Sequence, residues 1–196
     1  MRMEHDGTVL FLKRWLRRPF SMGAVVPSGR LLAEAMARAT LEVARNRTGH
    51  VVELGAGTGQ VTQALLAAGI APQRLAMVER DPALAAFLRK NFSAPTTVEG
   101  DAMRLPDLLR ESGVRDVAAV VSSLPLLSLP AEVVDGIVRG VFAALPQGGA
   151  LVQFTYGRAP PIPRPLREGL RLAGTHGARI WRNVPPAVVW TFRKLA

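Results

Sequence analysis

The chain contains no cysteine. That excludes disulfides, thiolate metal ligands and a cysteine nucleophile. Its three histidines, His5, His50 and His176, lie far apart and form no pair at ligand spacing, so neither a structural nor a catalytic zinc site is expected. Tyrosine occurs once, as Tyr156, and lysine only at Lys13, Lys90 and Lys194. No apolar run approaches the roughly 20 residues that span a bilayer as a helix. A secretory leader is not expected either. The apolar stretch from Val9 to Leu12 is short and runs into Lys13-Arg14-Trp15-Leu16-Arg17-Arg18. Internal repeats and low-complexity linkers are missing as well. These absences predict a cytoplasmic protein whose membrane contact, if any, is confined to the surface.

What is present fits one globular domain. The chain has 196 residues, 48% of them hydrophobic and 20% charged, which suits a single packed core and not a disordered segment. The formal net charge is +10, carried almost wholly by arginine. Arginine favours bidentate contact with phosphate or carboxylate. Nucleic acid and anionic membrane both satisfy that preference, so charge alone does not choose between them. A GC-rich genome that encodes arginine wherever a solvated cation will do is the plain alternative.

From His50 onward apolar runs alternate with helical patterns, as in a parallel sheet with crossover helices. Strands are read at 50–54, 74–79, 96–99, 117–122, 150–156, 179–183 and 187–192. The helices between them fall at 60–68, 82–91, 103–111 and 131–144, with start signals such as Asp81 before Pro82. The last two strands are separated by a short turn holding Pro185-Pro186, a spacing that suits an antiparallel hairpin. Two helices precede the sheet. Residues 8–18 place Val9, Phe11, Leu12, Trp15 and Leu16 on one arc, with Lys13, Arg14, Arg17 and Arg18 opposite and Leu10 misplaced. A second helix is expected over 28–39, with Ser28 as N-cap.

The most informative stretch is Val51-Val52-Glu53-Leu54-Gly55-Ala56-Gly57-Thr58-Gly59. An apolar strand runs into three alternate glycines and a helix starts at once, so the backbone can turn tightly and a ligand can approach closely. Dinucleotide sites space their glycines G-x-G-x-x-G to seat a pyrophosphate. Here the spacing is G-x-G-x-G with an acid, Glu53, two residues earlier, which resembles motif I of S-adenosylmethionine-dependent enzymes. Further along, Glu79 ends the second strand, where an acid commonly holds ribose hydroxyls, and Arg80 follows it. Asp101 and Ala102 follow the third strand and resemble the methyltransferase motif that contacts the adenine amino group. The antiparallel ending likewise resembles the Rossmann-like class I methyltransferase fold, an α/β fold with a seven-stranded, mostly parallel sheet. The implied cofactor is S-adenosyl-L-methionine, leaving as S-adenosyl-L-homocysteine, with no metal. Cofactor-binding candidates are Glu53, Gly55, Ala56, Gly57, Gly59, Glu79, Arg80, Asp101, Ala102 and Ser122.

The fourth strand ends in Val121-Ser122-Ser123-Leu124-Pro125-Leu126. Adenine N-methyltransferases carry an N/D-P-P-Y or N-L-P-Y motif there. This chain has Ser123 for the amide that meets the adenine amine and Leu126 for the ring that stacks on the base. Its segments Phe11-Leu12-Lys13-Arg14-Trp15, Gly23-Ala24-Val25-Val26-Pro27-Ser28, Ser122-Ser123-Leu124-Pro125-Leu126 and Gln153-Phe154-Thr155-Tyr156-Gly157, with the glycine motif, resemble the bacterial phospholipid N-methyltransferases, relatives of the rRNA adenine dimethylases. That resemblance implies N-methylation of phosphatidylethanolamine and its mono- and dimethyl derivatives to phosphatidylcholine, by a peripheral enzyme at the inner membrane. Residues 1–40 would supply membrane-contacting and lid helices and residues 41–196 the methyltransferase unit, one domain overall.

In this reading the helix over 8–18 is an interfacial anchor presenting Phe11, Lys13, Arg14, Trp15, Arg17 and Arg18 to an anionic surface. An ordinary helix packed on the core is the alternative. The proline-rich segment from Pro160 to Pro165, with Arg158, Arg164, Arg167 and Arg171, is a candidate receiver of the lipid phosphate, or else a solvated crossover. Catalytic candidates are Tyr156, whose ring can hold an amine becoming a quaternary cation, with Ser122 and Ser123. Displacement at the sulfonium methyl needs a neutral amine, and no histidine or cysteine lies in a site motif to act as base. Proton loss to water or to the lipid's surroundings, aided by the polar groups of Ser122, Ser123 and Tyr156, is therefore expected. The partners are a phospholipid substrate and an anionic membrane, with no nucleic acid expected. An RNA adenine methyltransferase and a non-catalytic cofactor-binding protein are the competing readings.

Overall fold

The computed structural model describes residues 27–156, 159–177, 179–183 and 185–195. The helix expected over 8–18, with Phe11, Lys13, Arg14, Trp15, Arg17 and Arg18, lies outside the described residues, as does Arg158.

Helix α1 spans Pro27–Ala44 and runs through residue 40, so the expected division of the chain at that position falls inside one helix. Leu32, Met36, Ala37, Val43 and Ala44 recur on its buried face at helical spacing. Thr40 does not end the helix because its buried hydroxyl donates to the Met36 carbonyl at 2.8 Å.

The alternation then follows as the pattern predicts: β1 (His50–Leu54), α2 (Gln60–Ala67), β2 (Leu75–Glu79), α3 (Pro82–Asn91), β3 (Thr96–Glu99), α4 (Leu105–Glu111), β4 (Val117–Ser122), α5 (Ala131–Ala144) and β5 (Ala150–Thr155). Asp81 caps α3, its carboxylate accepting from Ala83 N and Leu84 N with Pro82 at the first helical position. Ala102–Arg104 is a 3-10 turn ahead of α4, where one helix is expected.

The C-terminal part needs a correction. Residues 179–183 are not a strand. The sixth strand is β6 (Leu172–His176), which follows a short helix α6 (Arg164–Gly169) and pairs antiparallel with β7 (Val188–Lys194). Residues 179–183 keep one bridge, Ile180 to Ala187, and then turn. Asn183 Nδ2 donates to the Pro185 carbonyl at 2.6 Å, and prolines at 185 and 186 have no N–H for a ladder. β6 hides in the sequence because it is a short edge strand with Gly174 at its centre. A Cβ there would come 2.6 Å from Phe192 Cε1, so the glycine makes room for a core ring.

The sheet order is β3-β2-β1-β4-β5-β7-β6, and β7 alone runs against the direction of the other strands. Two apolar layers cover it. On one face Leu105, Leu108, Ile137, Val141 and Phe142 of α4 and α5 meet Val52, Leu54, Val78 and Val120. On the other, Met36, Leu65 and Leu88 of α1, α2 and α3 meet Val51, Met77 and Val121. Each such side chain contributes about 1.5–3 kcal/mol by burial. Strand order leaves β1 in opposite directions, toward β2 and toward β4. The carboxyl ends of β1 and β4 therefore bound a crevice where open α/β sheets bind ligands.

Candidate active site

The glycine turn sits at the mouth of that crevice. Gly55, Gly57 and Gly59 all have positive φ, at 69°, 56° and 82°. Their surroundings differ. A Cβ on Gly55 would lie 2.7 Å from Leu124 Cδ2 and one on Gly59 2.4 Å from Phe92 Cε2, whereas Gly57 has nothing within 4 Å. The outer glycines let the turn pack against its neighbours, and the middle one faces open space that a ligand can enter.

Two carboxylates lie under the turn. Glu79 Oε2 accepts from Gly57 N at 2.9 Å and Oε1 from Asp81 N at 2.9 Å. Each oxygen keeps acceptor capacity for a hydroxyl. Glu53 is fully buried and its Oε2 accepts from Thr62 Oγ1 at 2.6 Å, while Oε1 has no partner. Burial pushes the Glu53 carboxyl up to about 8, against the pull of the Thr62 hydrogen bonds, with a small further push from Glu79. An unpartnered acid oxygen beside an open glycine turn suits a ligand carrying a cationic amine. The donor set thus fits the sulfonium cofactor, whose adenosine and amino acid ends need hydroxyl and ammonium partners.

At the β3 end, Asp101 Oδ1 accepts from Met103 N at 2.9 Å and caps the 3-10 turn, with Ala102 buried behind it. Asp101 also meets Arg80 at 3.7 Å in an exposed pair, which contributes little to stability. These residues line one rim of the crevice together with the glycine turn.

The loop after β4 forms the other rim. Ser123 N donates to the Leu54 carbonyl at 2.9 Å, tying the loop to β1. Ser122 Oγ accepts from Leu124 N at 3.3 Å, and Ser123 Oγ is buried without a partner. Gln153, read in the sequence only as part of a matching segment, emerges here as a site residue. It is fully buried opposite Ser122, and its Nε2 donates to the Leu124 carbonyl at 2.9 Å and to Phe154 O at 3.0 Å. Its Oε1 is unpartnered. Leu124 in turn packs on Gly55, so one amide couples β5, the loop and the glycine turn. A polar residue amid an otherwise apolar strand was the available signal.

Tyr156 follows β5 directly and packs edge-on against Phe154, ring centroids 5.1 Å apart. Burial raises its phenol above the ordinary value, so the hydroxyl stays protonated at neutral pH and is a donor, not a base. Glu53, Gly55, Ala56, Gly57, Gly59, Glu79, Asp101, Ser122, Ser123 and Tyr156 therefore share the carboxyl edge of the sheet. Arg164 does not join them. It pairs with Glu168 at 2.6 Å and lines a depression with Arg167, Arg171, Leu172 and Leu195. Leu172 pairs with Lys194, at the end of β7 beside the start of β5, so that depression opens at the sheet's opposite edge. Among the described residues, no group of three or more His, Asp or Glu could hold a metal ion.

No family model matches the chain. Over 150 residues it is 33% identical to an ornithine lipid N-methyltransferase from Singulisphaera acidiphila, covering 74% of this chain and 76% of that protein. A shorter stretch of 84 residues is 39% identical to a probable ribosomal RNA small subunit methyltransferase A from Natronomonas pharaonis, 40% of this chain but only 27% of that protein. Among solved structures it is similar to magnesium protoporphyrin IX methyltransferase from Synechocystis PCC 6803, with a TM-score of 0.69 at 11% identity, over 94% and 91% of the two chains. A glycopeptide N-methyltransferase aligns with a TM-score of 0.64 at 15% identity, over 91% and 99%. Both were solved with S-adenosylmethionine bound, and at these identities they show the fold. Fold, glycine turn and long-range identity converge: the chain belongs to the family of the ornithine lipid N-methyltransferase, within the class I methyltransferases that use S-adenosylmethionine.

Proposed function

We propose that this methyltransferase acts on the amine of a membrane lipid headgroup, converting phosphatidylethanolamine and its mono- and dimethyl derivatives to phosphatidylcholine. The observation that carries this reading is the loop after β4. It carries the unpartnered Ser123 Oγ against the unpartnered Oε1 of Gln153 in β5, and it has neither an amide at position 123 nor a ring at 126 for an adenine base. The 33% identity to an enzyme of lipid N-methylation supports the same class of acceptor.

The cofactor, when bound, supplies a methyl group already activated on sulfur. What remains for the protein is to hold and orient the acceptor. Glu53, Gly55, Ala56, Gly57, Gly59, Glu79, Arg80, Asp101, Ala102 and Ser122 hold the cofactor. Ser122 and Ser123 orient the amine, and the Tyr156 ring stabilises its growing positive charge. The amine reacts in its neutral form and its proton leaves to water or the lipid's surroundings, since no histidine or cysteine lies in a site motif to act as base. Residues 8–18 and an anionic cytoplasmic leaflet bring the enzyme to its substrate. Arg164 faces the opposite edge and drops out of this contact, while Arg158 stays a candidate for the lipid phosphate.

The relative's name brings a second headgroup, because ornithine also carries a side-chain amine. Purified enzyme with labelled methyl donor, given phosphatidylethanolamine, ornithine lipid or ribosomal RNA in separate reactions, tests the reading. Label is expected in phosphatidylethanolamine. Label in ornithine lipid alone would correct the headgroup, and label in RNA alone would overturn the proposal.

A further inference from the structure

The carboxyl edge of the sheet is divided by charge. Over β1, β2 and β3 it carries Glu53, Glu79, Asp81 and Asp101. Over β4, β5 and the β6–β7 pair, three connections follow the strands: 123–130, 156–163 and 177–187. None contains an aspartate or glutamate, and Glu132 in the first turn of α5 is the nearest acid along the chain. No acid occurs anywhere after Glu168.

On these acid-free connections large apolar side chains stand in solvent, and the neighbouring helix α1 brings one acid, Glu42, to the cavity that Arg179 and Ile180 line. Trp181 is 67% exposed and Leu127 58% exposed. The tryptophan is held outward by a built turn. Ile180 N donates to Ala187 O at 2.8 Å, Asn183 N to Ile180 O at 3.2 Å, and the buried Asn183 amide closes onto Pro185. Arg179 lies over its ring, 4.5 Å from the centroid, and Arg182 beside it is exposed. Because β6 runs parallel to β5, its end at His176 delivers this turn to the same edge as Ser123 and Tyr156.

We propose that the two connections carrying Leu127 and Trp181 form a face that docks on an anionic lipid bilayer, in addition to any contact made by residues 8–18. Trp181 and Leu127 enter the headgroup layer, while Arg179 and Arg182 meet lipid phosphates. The chemistry favours a bilayer over other partners. A tryptophan with an apolar ring and an N–H is suited to the membrane interface, arginines beside it are drawn to an anionic leaflet, and two separate tips along one edge match a flat surface. The inference rests on the lipid reading above, because it turns the edge that carries Ser123 and Tyr156 toward the headgroups.

The test uses the full chain with vesicles rich in phosphatidylglycerol. Two variants, Trp181→Ala with Leu127→Ser and Arg179→Glu with Arg182→Glu, are each expected to bind at least tenfold more weakly. Both should bind S-adenosylhomocysteine as the wild type does. Their turnover of phosphatidylethanolamine in detergent micelles should match the wild type, because a micelle needs no docking. In brominated-lipid vesicles, Trp181→Phe should remove part of the tryptophan quenching. Unchanged vesicle affinity with unchanged quenching would overturn the docking face, as would equal losses on micelles and vesicles. If the wild type methylates no lipid in either form, the substrate reading fails, and the quenching experiment still decides the docking face.

Discussion

Glu53 is the residue whose behaviour departs furthest from its type. Exposed glutamates titrate near 4.5, whereas the buried Glu53 titrates near 8. Between those values the folded chain holds a proton that the unfolded chain has released. Its contribution to stability is therefore full below about pH 4.5, declines as pH rises, and is lost above about 8. The melting temperature of the cofactor-free protein should fall across that window, and Glu53→Gln should flatten the fall. An equally steep decline in the variant would show that other groups set it. The open side of Gly57 gives a second test. Gly57→Val forces a branched residue to positive φ and fills the space above the turn, so calorimetry should show S-adenosylhomocysteine binding at least a hundredfold more weakly, with the circular dichroism of the wild type. Glu79→Ala should also bind weakly, and unchanged affinity in both would remove the cofactor assignment. At Tyr156, a cation–π role worth about 0.5–2 kcal/mol needs the ring. Tyr156→Phe should accordingly keep more activity than Tyr156→Ala. If both are equally inactive while binding cofactor normally, the hydroxyl carries the role.

Elements with a strong local signal were legible in the sequence. β1, the glycine turn and α2 form a contiguous pattern, and Asp81-Pro82 marks a helix start that needs no tertiary context. The hairpin was not legible in the same way. Ile180-Trp181 has the side chains of a strand, yet Pro185 and Pro186 deny the ladder its donors, and the less promising Leu172-Ala173-Gly174 pairs instead because Phe192 needs the space over Gly174. The same limit hid Gln153, whose meaning depends on Leu124, a residue 29 positions away. Its amide fixes the loop after β4 while leaving one oxygen unsatisfied; Met would remove that oxygen together with the two donations, and the Leu124 carbonyl would keep Leu126 N as its donor, so gain and loss offset. Gln153→Met should therefore match the wild type in thermal stability and bind S-adenosylhomocysteine normally, while its turnover falls at least tenfold. Unimpaired turnover would make the glutamine a packing residue.

At the scale of the molecule, the net charge of +10 takes on a direction. Along the carboxyl edge Glu53, Glu79, Asp81 and Asp101 lie over β1 to β3, and the acid-free connections lie over β4 to β6, beside Ser123 and Tyr156. Residues 8–18 add the four cations Lys13, Arg14, Arg17 and Arg18, each worth about 1 kcal/mol near an anionic surface. Binding should strengthen with anionic lipid and weaken with salt. In flotation assays, removal of residues 1–18, or Arg14→Glu with Arg17→Glu, should sharply reduce recovery with phosphatidylglycerol vesicles. Undiminished flotation would place the whole contact on the folded domain. The central claim is the acceptor, and mass spectrometry of lipids from a phosphatidylcholine-free bacterium expressing the chain tests it most directly. Mono-, di- and trimethylated phosphatidylethanolamine should accumulate with the wild type and be absent with Gly57→Val. An unchanged lipid profile, in cells whose ribosomal RNA has gained methylated adenine, would contradict it.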